Sequence, residues 1–379
     1  MQFTHVRLEK WRNFYEVDTD LASRVFIVGP NASGKSNLLD AFRFLRDIAS
    51  VGGGFQEAIQ KRGGVSKIRS LSARRYPDVA LSVRIGESDD RDEWSYSLSF
   101  TQDNQRKPTI TREEVRHRGQ VLLERPDEAD RSDRERLRQT HLEQINANQD
   151  FRDVAEFLTS VRYLHIVPQL VREPDRSVGR TGDPYGGDFL EQLARTDRRT
   201  RDSRFGRIAQ ALRVAVPQLR ELQLERDEIS GAPHLRAQYE HWRPNAGWQT
   251  EDQLSDGTLR LFGLLWSFLD GQGPLLLEEP ELSLHPEVVR FIPSVMARIQ
   301  RSRTRQILVS THSPELLSDE GIGLDEVLLL TPGKEGTQVT LAADIGQVVA
   351  LLAGGDSMAA AVLPRAKPKN ADQLSLFGG

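Results

Sequence analysis

The chain has 379 residues, 38% of them hydrophobic, and a formal net charge of −4 from 51 basic and 55 acidic residues. This composition is that of a folded protein with enough chain for two or three domains, and it excludes disorder along the whole chain. The sequence has no cysteine, which excludes disulfides, thiolate metal sites and a cysteine nucleophile. It also lacks an apolar run of about 18 residues and a secretory leader, so it predicts a soluble, cytoplasmic protein.

The first third of the chain is predicted to combine strands with one long helix. Residues 2–9 alternate as in a strand. Residues 23–28 form a short apolar strand that runs into a glycine-rich loop and then a helix ending near Ile48. Three further segments have strand composition: 79–85, 94–101 and 119–124.

The middle of the chain is rich in charge. Residues 127–160 permit a helix, 161–167 predict a strand, 172–187 a loop and 188–222 helices. Residues 195–213 hold seven arginines against two aspartates. Such a cluster indicates either a solvated helix face or a strip that contacts phosphate groups.

Strand signals return in the last third, at 274–278, 306–310 and 326–331, with helical segments between them. This alternation favours a mostly parallel α/β core. From 346 onward the composition turns to Ala, Gly, Pro and Lys, which predicts a flexible linker over 364–372 before a short tail.

The glycine-rich loop matches G-x-x-x-x-G-K-[ST] between a predicted strand and a predicted helix, which is the context this motif requires. Backbone N–H groups of such a loop surround phosphate oxygens, and the helix N-terminus adds its dipole. Lys35 can reach the β- and γ-phosphates, and the Ser36 hydroxyl can bind Mg²⁺. The sequence therefore predicts an ATP and Mg²⁺ site formed by the following run: Gly29, Pro30, Asn31, Ala32, Ser33, Gly34, Lys35, Ser36 and Asn37.

An apolar strand far downstream ends in carboxylates, in the run P-L-L-L-E-E-P-E over residues 274–281. In a P-loop fold this is the place of the acid that holds Mg²⁺, here Glu278. Glu279 beside it can orient and deprotonate the attacking water. Two adjacent carboxylates after an apolar strand are costly unless a metal or a proton compensates them, which favours this interpretation over an exposed acidic turn.

Together with further motifs, the sequence resembles the ABC-type ATPases, in the SMC/RecF/OLD-like branch rather than the transporters. Residues 254–258, L-S-D-G-T, resemble the signature loop L-S-G-G-Q. Residues 282–286, L-S-L-H-P, resemble the D-loop, and His312 in S-T-H-S-P resembles the switch histidine. The motifs follow one another in the order of that family.

Three weaker matches extend the resemblance. Gln169, after a predicted strand, resembles the Q-loop glutamine that contacts the metal, although Gln56 and Gln60 compete for this role. Arg12 and Asn13, in W-R-N-F, resemble residues that touch the nucleotide in the SMC branch; the alternative is a plain surface turn.

The resemblance implies an α/β fold, a P-loop NTPase and ABC-type ATPase head with a mixed sheet, an antiparallel β subdomain and a helical insertion. It divides the chain into an N-terminal half of the head (1–125), a Q-loop and helical insertion lobe (126–250), a C-terminal half of the head (251–345) and a flexible tail (346–379). About 34 residues follow position 345. This predicts that the Toprim nuclease domain of the OLD-type proteins is not carried here.

The resemblance also implies that two heads close around two ATP molecules. Ser255 and the backbone near Gly257 of one copy would cap the γ-phosphate bound by Lys35 of the other. Glu279 and His312 would act in catalysis. The sequence departs from the family with Asp256 and Thr258 in the signature, and with Glu278 where most members have Asp.

The last residues carry a separate motif. Residues 373–377, Q-L-S-L-F, resemble the pentapeptide by which bacterial replication and repair proteins bind the sliding clamp. A flexible arm can present apolar side chains to a groove in this way. The predicted clamp-binding residues are Gln373, Leu374, Leu376 and Phe377.

The sequence thus predicts an ATP-hydrolysing, homodimeric switch in bacterial DNA repair, replication-linked metabolism or anti-phage defence. Its predicted partners are a second copy, the sliding clamp, DNA and a separate effector or nuclease chain, but no membrane. The alternatives are the ATPase sensor of a toxin or defence pair, a transporter motor subunit, and a nucleotide binder without hydrolysis.

Overall fold

The computed structural model describes residues 1–72, 78–87, 89–173, 183, 185–243 and 247–367. The chain forms two compact units. Unit 1 comprises Met1–Arg162, Gln272–Leu276 and the described part of Gln300–Gly379, and unit 2 comprises Tyr163–Gly271 and Leu277–Ile299. None of the helices in the described ranges has the length and hydropathy of a transmembrane segment.

Unit 1 contains a six-stranded antiparallel sheet in the order β2-β1-β4-β5-β6-β7. In β4 and β5 buried and half-buried residues alternate, because one face of the sheet packs on the core and the other meets solvent. The strands are β1 (Gln2–Glu9), β2 (Glu16–Asp20), β4 (Val79–Gly86), β5 (Trp94–Gln102), β6 (Pro108–His117) and β7 (Gln120–Arg125). Among them, β2 and β6 were not predicted from the sequence.

The second sheet is mixed, in the order β15-β14-β3-β13-β12-β8. Strand β3 pairs in parallel with β13 and β14, and β15 pairs antiparallel with β14. Every residue of β3 and β13 is buried, as expected for strands covered on both faces. The strands are β3 (Arg24–Val28), β8 (Arg162–Leu164), β12 (Leu275–Glu278), β13 (Ile307–Thr311), β14 (Val327–Pro332) and β15 (Thr337–Leu341).

Several aromatic side chains pack together in the core of unit 1. Phe3 of β1 packs on Phe42 and Phe157, with ring centroids 4.7 and 4.9 Å apart. The predicted apolar face of the first helix is buried in this core. The helices are α1 (Lys35–Ala49), α2 (Phe55–Gln60), α3 (Val65–Ile68), α4 (Glu128–Ser132), α5 (Arg152–Ser160), α12 (Gly346–Ala353) and α13 (Met358–Val362).

The described part of the segment after 345, residues 346–367, is folded, whereas a flexible tail was predicted over 346–379. It forms α12, α13 and a 3₁₀ turn over Leu363–Ala366. Val348 and Val362 are fully buried, so apolar packing orders residues that were assigned to the flexible tail.

Unit 2 has an apolar core. In it the ring of Phe262 packs on those of Phe189 and Phe205, with ring centroids 5.7 and 5.6 Å apart. Its helices are α6 (Pro168–Val171), α7 (Phe189–Arg195), α8 (Arg198–Ala215), α9 (Asp256–Leu269), α10 (Pro286–Val289) and α11 (Ile292–Arg303), whose last residues belong to unit 1. Its antiparallel sheet has the order β11-β10-β9, formed by β9 (Leu219–Arg226), β10 (Pro233–Tyr239) and β11 (Trp248–Thr250). The sequence predicted none of these three strands.

A buried ion-pair cluster joins β6, β7 and α4 within unit 1. Arg125 donates to Glu113 at 2.9 Å and to Asp130 at 2.8 Å, and none of the three is more than 1% exposed. Hydrogen bonding to Arg125 holds the pKa of Asp130 well below its ordinary value, whereas burial raises the pKa of Glu113 despite the same partner.

Arg125→Met is expected to destabilise unit 1 by about 3–5 kcal/mol, because it leaves the buried Glu113 carboxylate without a counter-charge and leaves Asp130 only its ion pair with the partly exposed Arg136. The loss should shrink as the pH falls from 7 to 4, since burial raises the pKa of Glu113 and protonation of that carboxyl removes the uncompensated charge. Urea denaturation at both pH values measures this. Arg84→Met, which breaks an exposed pair with Asp92 at 3.2 Å, should cost less than about 1 kcal/mol. Equal losses of unfolding free energy for the two variants would show that the buried cluster stabilises unit 1 no more than an exposed ion pair does.

Candidate nucleotide-binding site

The predicted phosphate-binding loop joins the end of β3 to the start of α1. Gly34 precedes the helix with φ 99° and Ala32 has φ 62°, so the backbone turns through left-handed conformations before α1. The Lys35 ammonium lies across the loop and donates to the carbonyls of Gly29 at 3.0 Å and Pro30 at 3.4 Å. The buried Ser33 hydroxyl has no hydrogen-bond partner among the described residues. Such an orphaned donor beside a helix N-terminus fits a phosphate group.

Within unit 1, the side chain of Asn13 holds this loop in place. Its amide donates to the Ser33 carbonyl at 2.7 Å and to the Thr337 hydroxyl at 2.8 Å, and its oxygen accepts from Asn37 at 2.7 Å. A Cβ on Gly34 would lie 2.3 Å from the Asn13 amide nitrogen, so only glycine permits this contact. Asn13, predicted to touch nucleotide, is thus bonded to the loop itself.

Arg12, the other predicted nucleotide contact, points to a charge cluster on α1. Its guanidinium donates to Asp40 at 3.1 Å and to the carbonyl of Lys67 at 3.3 Å. Burial alone would raise the pKa of Asp40, but Arg62, Arg43 and Arg12 outweigh it, and the pKa is lowered. The carboxylate is therefore ionised, and Arg12 braces α1.

Asn13→Ala is expected to weaken ATP binding by about tenfold or more. The substitution removes hydrogen bonds worth about 1 kcal/mol each and frees the loop backbone. Titration with a fluorescent ATP analogue measures the affinity. Arg12→Ala, at the neighbouring position, is the comparison variant. A change for Arg12→Ala as large as that for Asn13→Ala would favour the direct nucleotide contact that the sequence predicts for Arg12. Unchanged affinity in Asn13→Ala would contradict a supporting role.

Unit 1 brings the predicted switch histidine to the same end of the sheet as the loop. In the parallel pair β3 and β13, Val28 lies opposite Thr311. Gly29 and His312 therefore leave the sheet side by side, at the carboxyl ends of the strands where ligands of open α/β sheets bind. The His312 side chain is exposed there.

In unit 2, the predicted metal ligand Glu278 ends β12 and is held by residues from β8 and the turn after it. The Tyr163 hydroxyl donates to its carboxylate, and the His165 ring nitrogen Nδ1 lies 3.4 Å from its carbonyl oxygen. Sequence reasoning missed both residues. Their spacing of two within a predicted strand was the available signal, since alternate residues of a strand share a face.

Glu279 has an unusual backbone. Its φ is 42°, in the left-handed region that favours glycine, and Pro280 follows it. This conformation costs a non-glycine residue about 1–3 kcal/mol, and such outliers cluster at functional sites. The outlier falls on the residue that the sequence predicts to be the catalytic base.

The signature loop begins helix α9. Ser255 is the N-cap residue, and its hydroxyl accepts from the Thr258 N–H at 3.1 Å while remaining exposed. A Cβ on Gly257 would lie 2.6 Å from the carbonyl oxygen of Ser283 in the predicted D-loop. Signature and D-loop thus pack against each other within unit 2, and Gly257 is required for the close approach.

The aspartate that departs from the usual signature has a partner. Asp256 forms an ion pair of 2.6 Å with Arg172, which also donates to the Leu254 carbonyl at 2.6 Å. The N-terminus of α9 favours anions through its helix dipole, and Asp256 places a negative charge there. Arg172 offsets the charge of Asp256. Sequence reasoning did not identify Arg172.

The candidate Q-loop glutamines lie in different surroundings. Gln169 is exposed on α6 of unit 2, and Gln60 is exposed at the end of α2. The Gln56 amide donates to the carbonyls of Pro108 at 3.2 Å and Arg138 at 2.8 Å, so it is used within unit 1. The predicted clamp-binding residues 373–377 lie outside the described residues.

The residues predicted for Mg²⁺ are Ser36, Glu278 and Gln169, a set with one carboxylate. This suits Mg²⁺, which keeps several waters and is held by few protein ligands together with phosphates. Within the described ranges, no three His, Asp or Glu side chains gather as a separate metal centre.

The model of one protein family matches residues 24–318, and its description reads "AAA domain, putative AbiEii toxin, Type IV TA system". The chain belongs to this AAA-domain family. None of the curated proteins compared with the chain matches it.

Solved structures similar to this AAA-domain protein include heads of SMC proteins. One, an SMC head bound to the C-terminal winged-helix domain of ScpA, has 11% sequence identity and a TM-score of 0.56 over 90% of this chain and 97% of the other. Another, from Pyrococcus furiosus with an extended coiled coil and the C-terminal domain of ScpA, has 12% identity and a TM-score of 0.53 over 93% and 99%. The fold is therefore that of an ABC-type P-loop NTPase head, as the sequence predicted.

Proposed function

We propose that this AAA-domain protein binds ATP with Mg²⁺ and hydrolyses it to ADP and phosphate. The observation that carries the proposal is the loop of unit 1, with its orphaned Ser33 hydroxyl, its braced backbone and the neighbouring His312. Such a loop supplies several N–H donors and one lysine to a triphosphate.

Each residue has one task in this proposal. Lys35 binds the β- and γ-phosphates, while Ser36 and Glu278 hold Mg²⁺. When bound, Mg²⁺ neutralises the charge that develops on the phosphates. Glu279 takes a proton from water as the water oxygen bonds to the γ-phosphorus and the bond to the ADP oxygen breaks, and His312 acts at the γ-phosphate.

We further propose that two copies close around two ATP molecules. The exposed Ser255 hydroxyl and the start of α9 in one copy supply donors to the γ-phosphate bound by its partner. ATP then stabilises the closed dimer and hydrolysis opens it, so the protein is a ligand-driven switch. The switch operates in bacterial DNA repair, replication-linked metabolism or anti-phage defence, with DNA as a partner.

A second candidate function is the ATPase sensor of a toxin or defence pair whose effector is a separate chain. The description of the matched family, with its toxin and TA-system terms, favours it. Co-expression with the product of the neighbouring gene distinguishes the two. An ATP-dependent complex with a nuclease or toxin supports the sensor, and activation by DNA alone supports the DNA switch.

The basic activity is tested by phosphate release from Mg-ATP by wild type and Lys35→Ala. Wild type should turn over ATP, and Lys35→Ala should lose binding and turnover because the β- and γ-phosphates lose their cation. Circular dichroism shows whether the variant is folded. A folded Lys35→Ala protein with wild-type turnover, or a wild type that binds ATP without releasing phosphate, would overturn the proposed hydrolysis.

The clamp motif gives a separate prediction. Wild type should be recovered with an immobilised bacterial sliding clamp, and Leu376→Ala/Phe377→Ala should lose most of that recovery, because both apolar anchors of the tail are removed. Ser375→Ala is the matched control, since the pentapeptide tolerates different residues there. Equal recovery of all three proteins would remove the clamp from the list of partners.

A further inference from the structure

Unit 2 contains an apolar groove of about 590 Å³ between three helical walls. The walls are the C-terminal part of α8, one face of α9 and the segment that runs from α10 into α11. None of the residues that have a task in the proposed reaction lines the groove. Val214 and Phe291 line it and are 80% and 63% exposed. Apolar side chains that gather around an open groove, rather than standing singly, are typical of interaction sites.

Each wall presents an apolar stripe with the spacing of a helix. Two of the stripes follow the pattern i, i+3, i+4 and i+7, which places their members on one helix face. The stripe of α9 consists of Leu261, Leu264, Leu265 and Phe268. The stripe of the α10–α11 segment consists of Val288, Phe291, Ile292 and Val295. Helices pack by placing the side chains of one in the grooves of the next, so three stripes around an open space leave the place of a fourth helix.

The third stripe, on α8, is narrow. It consists of Ala211, Val214 and Ala215 at the spacing i, i+3 and i+4. Ala211 is exposed and Ala215 is half-buried. Because two of the three side chains are single methyl groups, another helix can approach this wall closely. The stripe of α9 spans seven residue steps, about 10 Å of helix, so the groove has the length of two helical turns.

The directions of the walls show which residues share an end of the groove. The Arg204 guanidinium of α8 donates at 2.8 Å to Asp270, which follows α9, so the first half of α8 lies beside the end of α9. The start of α9 lies beside the D-loop that leads into α10, where Gly257 closely approaches the carbonyl of Ser283. Thus α8 runs against the direction of α9, and the α10–α11 segment begins where α9 begins.

The end of the groove at Phe268 carries unpaired positive charge. Arg298 is the last lining residue of the α10–α11 segment, and Arg207 lies one turn before the lining residue Ala211 of α8. Both arginines therefore lie toward the Phe268 end. Both are exposed, and neither has an ion pair or a hydrogen bond to another residue in the part of the chain that the structure describes.

The carboxylates beside the groove are already paired. Asp270, at the Phe268 end, forms its ion pair with Arg204. Glu287 lines the opposite end and lies 3.6 Å from the guanidinium of Arg290. The charge of the groove that lacks a counter-charge among the described residues is therefore positive and lies at the Phe268 end.

We infer that this groove binds an amphipathic helix of a partner protein, with acidic side chains at the Phe268 end. Apolar residues of the partner helix at i, i+3 or i+4, and i+7 fill the space between the three stripes. Its carboxylates pair with Arg207 and Arg298, which have no other partner among the described residues, so the charges are complementary and fix the direction of the helix.

The same observations argue against a small molecule and against an extended peptide. A small-molecule site encloses its ligand and places a few polar groups around it, whereas here Val214 and Phe291 are open to solvent and the charged side chains lie at the ends. An extended peptide binds by pairing its backbone with the edge of a sheet. The three walls are helical, and helices use their backbone hydrogen bonds internally.

The test is selection of displayed random 12-residue peptides on the full-length protein, with counter-selection on Ala211→Trp, whose indole fills the groove from an exposed position. We expect enriched peptides with apolar residues at helical spacing and acidic residues toward one end. The best one, made as a fluorescent synthetic peptide, should lose at least tenfold in affinity on Ala211→Trp and on Arg298→Glu. Gln210→Trp and Arg199→Glu are matched controls at exposed positions outside the groove, and they should bind within twofold of wild type.

Changes in the peptide test its conformation and its charge. A proline at its centre should lower the affinity at least tenfold, because proline breaks a helix. A peptide whose acidic residues are replaced by lysine should bind wild type weakly and Arg298→Glu at least tenfold better than wild type, because the charges are then reversed on both sides.

The inference is overturned if no enriched peptide depends on Ala211, if the enriched peptides are basic, or if the proline peptide binds like the parent. It is also overturned if the lysine peptide binds Arg298→Glu no better than wild type. Self-association of the wild type without nucleotide that is lost in Ala211→Trp would overturn it as well, because a second copy of the chain would then occupy the groove.

Discussion

Glu279→Gln is expected to lower steady-state ATP hydrolysis by about 10²–10⁴-fold while leaving ATP affinity within about threefold. The carboxamide keeps the size of the side chain but cannot take the proton of the attacking water. Phosphate release measures turnover, and a fluorescent ATP analogue measures affinity. Glu287→Gln, on the exposed start of α10, is the matched control and should hydrolyse ATP at the wild-type rate.

The backbone of Glu279 allows a second variant to separate function from stability. Glu279→Gly should be as inactive as Glu279→Gln. It should also be more stable than Glu279→Gln by about 1 kcal/mol, because glycine adopts a φ of 42° without the cost that a residue with a side chain bears. Thermal unfolding of the two variants measures this difference. If Glu279→Gln retained more than a tenth of wild-type turnover, another group would have to be the base.

Arg172→Ala is expected to weaken the ATP-driven dimer by about 10–100-fold. It leaves the Asp256 carboxylate without its partner at 2.6 Å, at the helix end proposed to face the γ-phosphate. Two like charges at about 4 Å repel by roughly 4 kcal/mol at an effective dielectric constant near 20. Sedimentation velocity with Mg-ATP in the Glu279→Gln background measures the dimer without hydrolysis.

The matched control is Arg220→Ala, which removes an exposed pair of the same length, 2.6 Å, from the same unit and should leave the dimer unchanged. The double variant Arg172→Ala/Asp256→Gly should recover most of the lost affinity, because the unpaired carboxylate is gone. If the two substitutions instead weakened the dimer additively, Arg172 would act by another route than compensation of Asp256.

Local patterns explain why most residues of the candidate nucleotide site could be proposed from the sequence. The phosphate loop, the acidic end of β12 and the strand before His312 are each contained in one short segment, and their periodicity identifies them. The supporting contacts could not be predicted, because they join residues distant in sequence. Tyr163 and Glu278 are 115 positions apart, and Asn13 and Thr337 are 324 apart.

The fold shows the same division. Strands β3, β13 and β14 are mostly apolar and were predicted. Strands β9–β11 carry many polar residues and follow an arginine-rich helix; the helical prediction for 188–222 covered the start of β9, and no element was predicted for β10 and β11. Tertiary packing on Phe262 and its neighbours, rather than intrinsic propensity, forms these strands.

The central claim is that two copies must meet before either hydrolyses ATP. ATP turnover per molecule should therefore be measured across a dilution series, with sedimentation velocity at each concentration reporting monomer and dimer. Turnover per molecule that falls on dilution in step with the dimer fraction is the predicted result. Turnover that stays constant while the protein sediments as a monomer with Mg-ATP would contradict it.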